Sequence, residues 1–361
     1  MRIPCGAMLS LAVLSIASPT LAQAPDQPVL LDEIVLPTEL MLDGVPFGGI
    51  SGLDYDAAGD IFYAISDDRA QNGPARFYTI KLTLDGREIA GLDIVSTHEL
   101  LNAGGQSFAS GAIDPESIRF VAETGTILWT SEGNADGAPE VFEADLGGNV
   151  VRTFDVPAAY IPDAEGKGVY GNLAFESLSL SVDGASVLVG TENGLMQDGD
   201  KATLEAGSPA RVAVFDRETG ELSAEYIYQT DPIRVPSTEE PNYNDNGLSE
   251  FLALDENTII AVERTFASGY GNEIAFYIAT FDGADAVTGL ETIAGSDIVP
   301  MNKEHWFTIA EGDFGLDVDN IESISWGPEV DGARTLMISS DNNFNRAGQF
   351  TQFVLLAAPG L

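Results

Sequence analysis

The sequence contains a single cysteine, Cys5, and it lies in the N-terminal segment, just before a run of apolar residues. We expect that segment to be removed on export, which leaves a mature chain without cysteine. Disulfide bonds, thiolate metal ligands and a cysteine nucleophile are thereby excluded. Histidine is almost as rare, because only His98 and His305 occur and they stand far apart. This scarcity argues against a histidine-rich zinc site and gives little support to a Ser-His-Asp triad.

Basic residues are also scarce, since 16 Lys and Arg stand against 57 Asp and Glu, for a formal net charge of −41. A field of this sign repels phosphate backbones and anionic lipid, so we expect no nucleic-acid and no membrane partner. Such acidity suits a saline habitat, where charges are screened within a few ångströms, or a chain that binds hard cations through carboxylates. The two explanations are compatible.

Several catalytic motifs and long apolar runs are missing as well. The sequence has no G-x-S-x-G elbow, no P-loop and no dinucleotide fingerprint.

The N-terminus has the pattern of a secretory signal peptide, in which residues 1–22 are removed. It contains Arg2, the apolar residues 7–17 and small residues near 22–24. No other segment is apolar enough to span a bilayer. We therefore predict an exported protein, periplasmic or extracellular, without a membrane span.

What the sequence does contain is a repeat. Five times, an apolar run that contains a Ser or Glu is followed by a second apolar run that ends in an acid. The Ser or Glu and the acid of each pair are 16, 16, 16, 13 and 19 residues apart. The pairs are Ser51 with Asp67, Glu116 with Glu132, Glu176 with Glu192, Glu250 with Glu263, and Glu322 with Asp341. Units that recur at such a period cannot bury a face alone, so they stack on copies of themselves.

The first three units each contain four short segments with alternating apolar residues, typical of β-strands, separated by turn residues such as the LDGRE and VDGA segments. Repeated four-stranded meanders predict an all-β fold, a β-propeller with five blades. The last unit has only three strands, and the unpaired residues 29–40 would supply the fourth and close the ring. Residues 296–318 leave six blades open as an alternative. We predict one propeller domain over residues 29–361.

Several blocks resemble the secreted bacterial phytase-like family, described by the esterase-like activity of phytase. They include FGGISGLDYD, YAISDD, DPESI, WTSEG, NLAFESLSL, GTENGL, AVERT, NIESISWGP and SDNNF, which occur in the family order from about residue 47 to 355. The resemblance implies a propeller and a hydrolase acting on phosphate or carboxylic esters. Ser51 stands where the other units have Glu, so the first unit lacks the leading acid.

Equivalent positions of consecutive blades converge on the ring axis, so the repeated acids should meet at one mouth of the channel. Crowded carboxylates repel each other unless a cation or a proton lies among them, and an oxygen-only set favours Ca²⁺. We predict a catalytic set and a set of metal ligands on this basis. The catalytic set is Glu116, Glu176, Glu250, Glu322 and Arg264. The metal ligands are Asp67, Glu132, Glu192, Glu263, Asp341 and Asn342. Alternatively, these acids end strands and accept backbone N–H bonds.

Three classes of function remain open from the sequence. The first is a Ca²⁺-dependent phosphoesterase of phytase type, in which Arg264 contacts the ester. The second is a Ca²⁺-dependent carboxylic esterase or lactonase, and the third is a binding propeller with structural Ca²⁺. We expect a monomer that acts on a small-molecule ester. A basic cluster beside the acids would favour the first class, and an apolar pocket the second.

Overall fold

A computed structural model describes residues 25–361. The predicted signal peptide, its cleavage site and Cys5 lie outside the described residues. The first strand is β1 (Val29–Leu36), which is followed by a short hairpin of β2 (Met41–Leu42) and β3 (Val45–Pro46). Within residues 25–361, no helix is long and apolar enough to cross a membrane.

The first three blades are antiparallel sheets whose strands follow the chain order or its reverse. Blade one consists of β4 (Ile50–Asp56), β5 (Ile61–Ser66), β6 (Arg76–Asp85) and β7 (Glu88–Glu99). Blade two consists of β8 (Pro115–Val121), β9 (Thr126–Ser131), β10 (Glu140–Asp145) and β11 (Val150–Thr153). A 3₁₀ turn at Ala158–Tyr160 leads to blade three. Its strands are β12 (Phe175–Leu180), β13 (Ser186–Thr191), β14 (Pro209–Asp216) and β15 (Leu222–Gln229).

The last two blades complete the ring. Blade four consists of β16 (Asn244–Ala253), β17 (Thr258–Ala267), β18 (Gly271–Thr280) and β19 (Asn302–Ala310). A 3₁₀ turn at Asp313–Gly315 precedes blade five. Its strands are β20 (Asn320–Val330), β21 (Ala333–Asp341), β22 (Thr351–Ala357) and β1. The fold is therefore a five-bladed propeller, as predicted. The sixth-blade alternative is wrong, because residues 302–310 form the outer strand of blade four.

The ring is closed by backbone pairing between its two ends. Strand β1 is antiparallel to β22, from the pair Val29 and Ala357 to the pair Leu36 and Thr351. The innermost strands contact one another in the order β4, β8, β12, β16, β20 and back to β4. The predicted closure is confirmed, although the strand ends at Leu36 rather than at residue 40. Closure leaves no long free edge between the first and last blades.

The hydrophobic core is divided among the blade interfaces. Five clusters of buried apolar side chains are present, and each lies between two neighbouring blades. Ile65 and Trp129, for example, belong to the cluster between blades one and two, and both are fully buried. Each sheet therefore buries both of its faces on its neighbours, which explains why the strands are rich in consecutive apolar residues.

Candidate functional site

Every innermost strand carries a β-bulge, and the bulges position the side chains of the site. In β12, for example, Phe175 pairs with Thr191 and Ser177 pairs with Gly190, so Glu176 is the extra residue between them. Such a bulge re-aims the side chain that it inserts. The residues that begin the five bulges are Ser51, Glu116, Glu176, Ser249 and Glu322.

A second set of side chains comes from the end of the second strand in each blade. The backbone N–H groups of Asp67, Glu132 and Glu192 donate to the carbonyl oxygens of Gly49, Asp114 and Ala174, over 2.8 to 2.9 Å. Each acceptor is the residue just before an innermost strand. In β20 and β21, Asp341 pairs with Asn320 at the equivalent place. In blade four, the residue that pairs at this place is Arg264, opposite Gly247. The second set is therefore Asp67, Glu132, Glu192, Arg264 and Asp341.

The repeat in the sequence predicts that Glu250 and Glu263 of blade four are equivalent to Glu176 and Glu192 of blade three. This prediction is wrong by one residue on both β16 and β17. The position equivalent to Glu176 holds Ser249 rather than Glu250, and the position equivalent to Glu192 holds Arg264 rather than Glu263. Because side chains alternate between the faces of a strand, an offset of one residue sends a side chain to the opposite side. Glu250 and Glu263 accordingly do not join the other acids at the mouth.

Glu250 lies inside the ring instead, where it is fully buried. Its Oε1 accepts N–H bonds from Leu178 and Phe251, both over 2.9 Å, and its Oε2 lies 3.0 Å from Arg119 Nη2. Burial raises the pKa of Glu250 to about 7, although the Arg119 charge opposes this shift. With its oxygens already bonded, Glu250 is a structural acid below the mouth.

Glu263 faces the interface between blades three and four. Its oxygens accept bonds from Tyr228 Oη at 2.8 Å and from Asn246 Nδ2 at 2.9 Å, and Lys303 Nζ lies 2.5 Å away. Lys303 also lies 2.9 Å from Asp231. This network satisfies Glu263 with protein groups, so the structure offers no free oxygen there for a metal ion.

Five of the remaining predicted acids line a polar cavity of about 330 Å³ at one mouth of the channel, whereas Glu192 lines only the neighbouring larger cavity and Glu132 lines neither. The polar cavity contacts this larger cavity of about 760 Å³, and Asn172, Glu176, Glu322 and Asn343 line both. Predicted residues in the smaller cavity are Asp67, Glu116, Glu176, Glu322 and Asp341. Asp114, which was not predicted from the sequence, also lines the smaller cavity and is buried. Its place in the DPESI block, two residues before Glu116, was the available signal.

Two groups of carboxylates are close enough to share one cation each. Asp114, Glu116 and Glu132 offer oxygens that all lie within 4.8 Å of one another, and so do Glu132, Glu176 and Glu192. Glu132 belongs to both groups. All of these ligand atoms are oxygens, which is the donor set of Ca²⁺ and Mg²⁺ rather than of softer metals.

The crowding disfavours the charged form of these acids. Burial and the Asp114 charge raise the pKa of Glu132 to about 7. Burial raises the pKa of Glu192 to about 8, although Arg264 opposes the shift. For Asp67, burial and the Glu322 charge raise the pKa to about 8. The pKa values of Glu116, Glu176 and Asp341 are also raised, first by burial and then by neighbouring carboxylates.

Two carboxylate oxygens at the mouth are buried and have no hydrogen-bond partner within residues 25–361. They are Asp67 Oδ1 and Glu132 Oε2. An unpaired buried acceptor costs about 1–3 kcal/mol, and more when it is charged. Buried polar groups are nearly always paired, so these two atoms indicate a missing proton or cation.

Two arginines line the cavities and form ion pairs with the acids. Arg264 lies 3.3 Å from Glu192, 3.4 Å from Asp245 and 3.9 Å from Glu322. Arg69, which the sequence analysis did not single out, lines the smaller cavity and lies 2.5 Å from Asp114. Arg69 is partly exposed, with 42% of its side chain accessible, so it can reach a molecule in the cavity.

Asn342, a predicted metal ligand, has its side chain turned away from the cavity. Its Oδ1 accepts N–H bonds from Gly49 at 3.1 Å and from Phe344 at 3.0 Å. Gly48 is required beside it, because a Cβ there would lie only 2.4 Å from the Asn342 amide, at a φ of +149°. The neighbouring Asn343 lines the cavity in its place.

Three other side chains, Arg76, Arg211 and His98, have structural roles. Arg76 and Arg211 form fully buried ion pairs, with Asp68 at 2.6 Å and Asp198 at 2.7 Å. His98 is on an outer strand and stacks on Phe77, with ring centroids 4.7 Å apart. None of these side chains lines the acidic cavities.

A model of the family described as "Phytase-like: Esterase-like activity of phytase" matches residues 45–344. No curated protein matches the sequence. Among solved structures, a crystal structure of a member of the DUF4221 family from Bacteroides vulgatus ATCC 8482 is similar over 93% of this chain and 98% of its own. Its identity is 10% and its TM-score is 0.42, so this likeness carries no argument about function.

Proposed function

This chain belongs to the phytase-like family, whose description suggests a hydrolase, and we propose that it is a cation-dependent hydrolase of phosphate monoesters. The observation that carries the proposal is the cluster of buried acids at the mouth, together with Asp67 Oδ1 and Glu132 Oε2, which lack partners within residues 25–361. A bound cation would offset the mutual repulsion of the carboxylates, and one held by Glu132 would supply a partner for its Oε2.

The residues present fit Ca²⁺. One ion would be held by Asp114, Glu116 and Glu132, and another by Glu132, Glu176 and Glu192. Sites built only from carboxylates and carbonyls suit this hard cation. When bound, Ca²⁺ supplies positive charge that offsets the charge of a phosphate ester and of its transition state.

Arg264 and Arg69 have the complementary task of binding and orienting the ester. A guanidinium offers several N–H donors in a planar fork, which matches the oxygens of a phosphate group. Both side chains are already held by carboxylates, Arg264 by Glu192 and Arg69 by Asp114. These ion pairs fix the two guanidinium groups before the substrate arrives. Groups that are already in position can stabilise the charge of the transition state without having to move during the reaction.

A carboxylic ester is the second candidate substrate. The smaller cavity is lined by six carboxylates and one arginine. An uncharged ester would enter this negative field more easily than a phosphate does. We rank the phosphate ester first because Arg69 and Arg264 both face the cavities. A binding propeller with structural Ca²⁺ stays open as the third class.

The test is an assay of the purified protein against phytate, a simple phosphomonoester and an acyl ester, each with Ca²⁺ and with chelator. Release of phosphate that requires Ca²⁺ supports the proposal. Cleavage of the acyl ester alone would favour the second candidate, and no turnover of any ester would favour the binding propeller. We also propose that the protein is exported to the periplasm or beyond as a monomer, which N-terminal sequencing and light scattering would test.

A further inference from the structure

One wall of the larger cavity is aromatic, whereas the smaller cavity is lined mainly by carboxylates. Tyr243 and Tyr270 line it and are 50% and 42% exposed, respectively. Phe266 lies behind Tyr243, with ring centroids 6.1 Å apart. We name Tyr243, Phe266 and Tyr270 the aromatic wall. It belongs to blade four and to the segment that enters it, beside Arg264.

The hydroxyl groups of the two tyrosines are hydrogen-bonded, while about half of each residue stays accessible. Tyr243 Oη donates to Asp245 Oδ2 over 2.6 Å, and Tyr270 Oη donates to Glu273 Oε2 over 3.0 Å. With the hydroxyl groups bonded, the side chains lose little further freedom when a ligand stacks on them. Exposed aromatic rings with anchored polar ends are suited to contact with the flat face of a ring-shaped ligand.

Amide side chains face the same cavity from blade five and from the loop before blade three. Asn172 and Asn343 line both the larger and the smaller cavity. Both have left-handed backbone conformations, with φ of 58° and 46°, which Asn tolerates better than most residues. The Asn343 side chain is exposed and makes no side-chain hydrogen bond within the described residues. Amides offer both donors and acceptors, which is the complement of a hydroxyl group.

Charge restricts what the ligand can be. The acids around the two cavities outnumber the two arginines, and the whole protein carries −41. A ligand with many phosphates would meet repulsion over most of its surface, whereas one anionic group can be matched by a cation and Arg264. The part of the ligand beyond that group must therefore be uncharged.

We propose that the alcohol portion of the substrate is an uncharged sugar ring carrying one ester group. This inference rests on the proposed function. One face of the ring stacks on the aromatic wall, its hydroxyl groups bond to Asn172 and Asn343, and its single ester extends to the acids beside Arg264. The cavity of about 760 Å³ has room for one such ring.

The experiment compares four phosphate esters in the presence of Ca²⁺: glucose 6-phosphate, cyclohexyl phosphate, glycerol 3-phosphate and phytate. The variants are Tyr243→Leu and Tyr270→Leu, which remove the aromatic ring and keep an apolar side chain. Tyr226→Leu is the matched control, because Tyr226 packs on Phe281 away from the mouth. Calorimetry with methyl glucoside, which has no phosphate, measures binding of the sugar ring without turnover.

We expect glucose 6-phosphate to have the highest kcat/KM. Tyr243→Leu should lower this value about threefold to tenfold, the range of one aromatic contact, and should leave glycerol 3-phosphate unchanged. Tyr226→Leu should change neither. The inference is overturned if phytate is preferred, if cyclohexyl phosphate equals glucose 6-phosphate, or if Tyr243→Leu affects the sugar and glycerol esters equally.

The two proposals fail in different ways. If all phosphate esters are cleaved without preference for the sugar, the sugar site is wrong and the proposed hydrolase stands. If no ester is cleaved but Tyr243→Leu abolishes methyl glucoside binding, the sugar site stands and the proposed hydrolase is wrong.

Discussion

Arg119 and Glu250 form an ion pair inside the propeller channel, with Arg119 Nη2 3.0 Å from Glu250 Oε2. The guanidinium also donates to the carbonyl oxygens of Leu53, Ile118 and Phe251, over 2.7 to 3.0 Å. Glu250 accepts from Leu178, and Ile324 O lies 3.4 Å from Arg119. Groups from all five blades therefore converge on this one pair, which lies below the acidic mouth.

The pair makes a prediction about stability. Replacing Arg119 with Met leaves Glu250 buried without its counter-charge and leaves several carbonyls unpaired. Breaking a buried pair typically costs about 3–5 kcal/mol, so the free energy of unfolding in urea should fall by about that amount. The exposed pair of Arg87 and Asp331 is the control, because exposed pairs contribute about 0–1 kcal/mol. Equal losses from Arg119→Met and Arg87→Met would contradict the special role of the channel pair.

A second prediction concerns the shared ligand. Glu132→Gln keeps the side-chain shape and removes one charge from both carboxylate groups, so Ca²⁺ affinity measured by calorimetry should fall at least tenfold. The thermal stabilisation by Ca²⁺ should fall with it, since that effect follows from mass action on the folded state. Glu143→Gln is the matched control, because Glu143 is a buried acid of the same blade that pairs with Thr126. Unchanged Ca²⁺ binding in Glu132→Gln would show that Glu132 is not a shared ligand of the two groups.

The raised pKa values predict how stability depends on pH without metal. A carboxyl group whose pKa is higher in the folded state stabilises the protein below its unfolded pKa of about 4, and this contribution is lost as pH rises through the folded pKa. For Asp114, Glu132 and Glu192 the folded pKa values are about 6, 7 and 8.

The melting temperature in chelator should therefore fall between about pH 5 and 9. Ca²⁺ should reduce this fall, because the ion takes the place of the protons. Calorimetric scans across this range, with and without Ca²⁺, make the measurement. A flat or rising melting temperature in chelator would contradict the predicted protonation of the acids.

Arg264 is the residue through which substrate charge can be tested. Arg264→Lys retains the positive charge and loses the planar fork. We expect KM for a phosphomonoester to rise severalfold and KM for an acyl ester to change less. Equal changes for both esters would show that Arg264 acts only through Glu192 and Asp245. The melting temperature of the Arg264→Lys variant serves as the control, since a large drop in that temperature would indicate that the substitution disturbs the fold of the site.

Closure of the ring gives the last prediction. Deleting residues 29–36 exposes the edge of β22 and removes the outer strand of blade five. The urea transition should become broad, because the first and last blades are no longer joined by backbone hydrogen bonds. A synthetic peptide of residues 29–36 should restore part of the cooperativity. A monomeric deletion variant that unfolds as sharply as the parent protein would refute this role.

The sequence by itself determined the propeller, its five blades and the strand that closes it. These features follow from period-two alternation and from a repeat length that any reader can measure. It also located most of the acids at the mouth, because equivalent residues of a repeat occupy equivalent places around the axis. Glu116, Glu176, Glu322, Asp67, Glu132, Glu192 and Asp341 were found in this way.

Only the tertiary structure decided which residue of blade four faces the mouth. Each innermost strand contains a bulge, and spacing in the sequence does not show on which side of the bulge a residue falls. Glu250 and Glu263 are the residues in blade four whose types match the acids of the other units. In the structure, however, Ser249 and Arg264 occupy the positions equivalent to those acids. Arg119 was missed for a related reason, since its partners come from four separate blades that meet only when the ring closes.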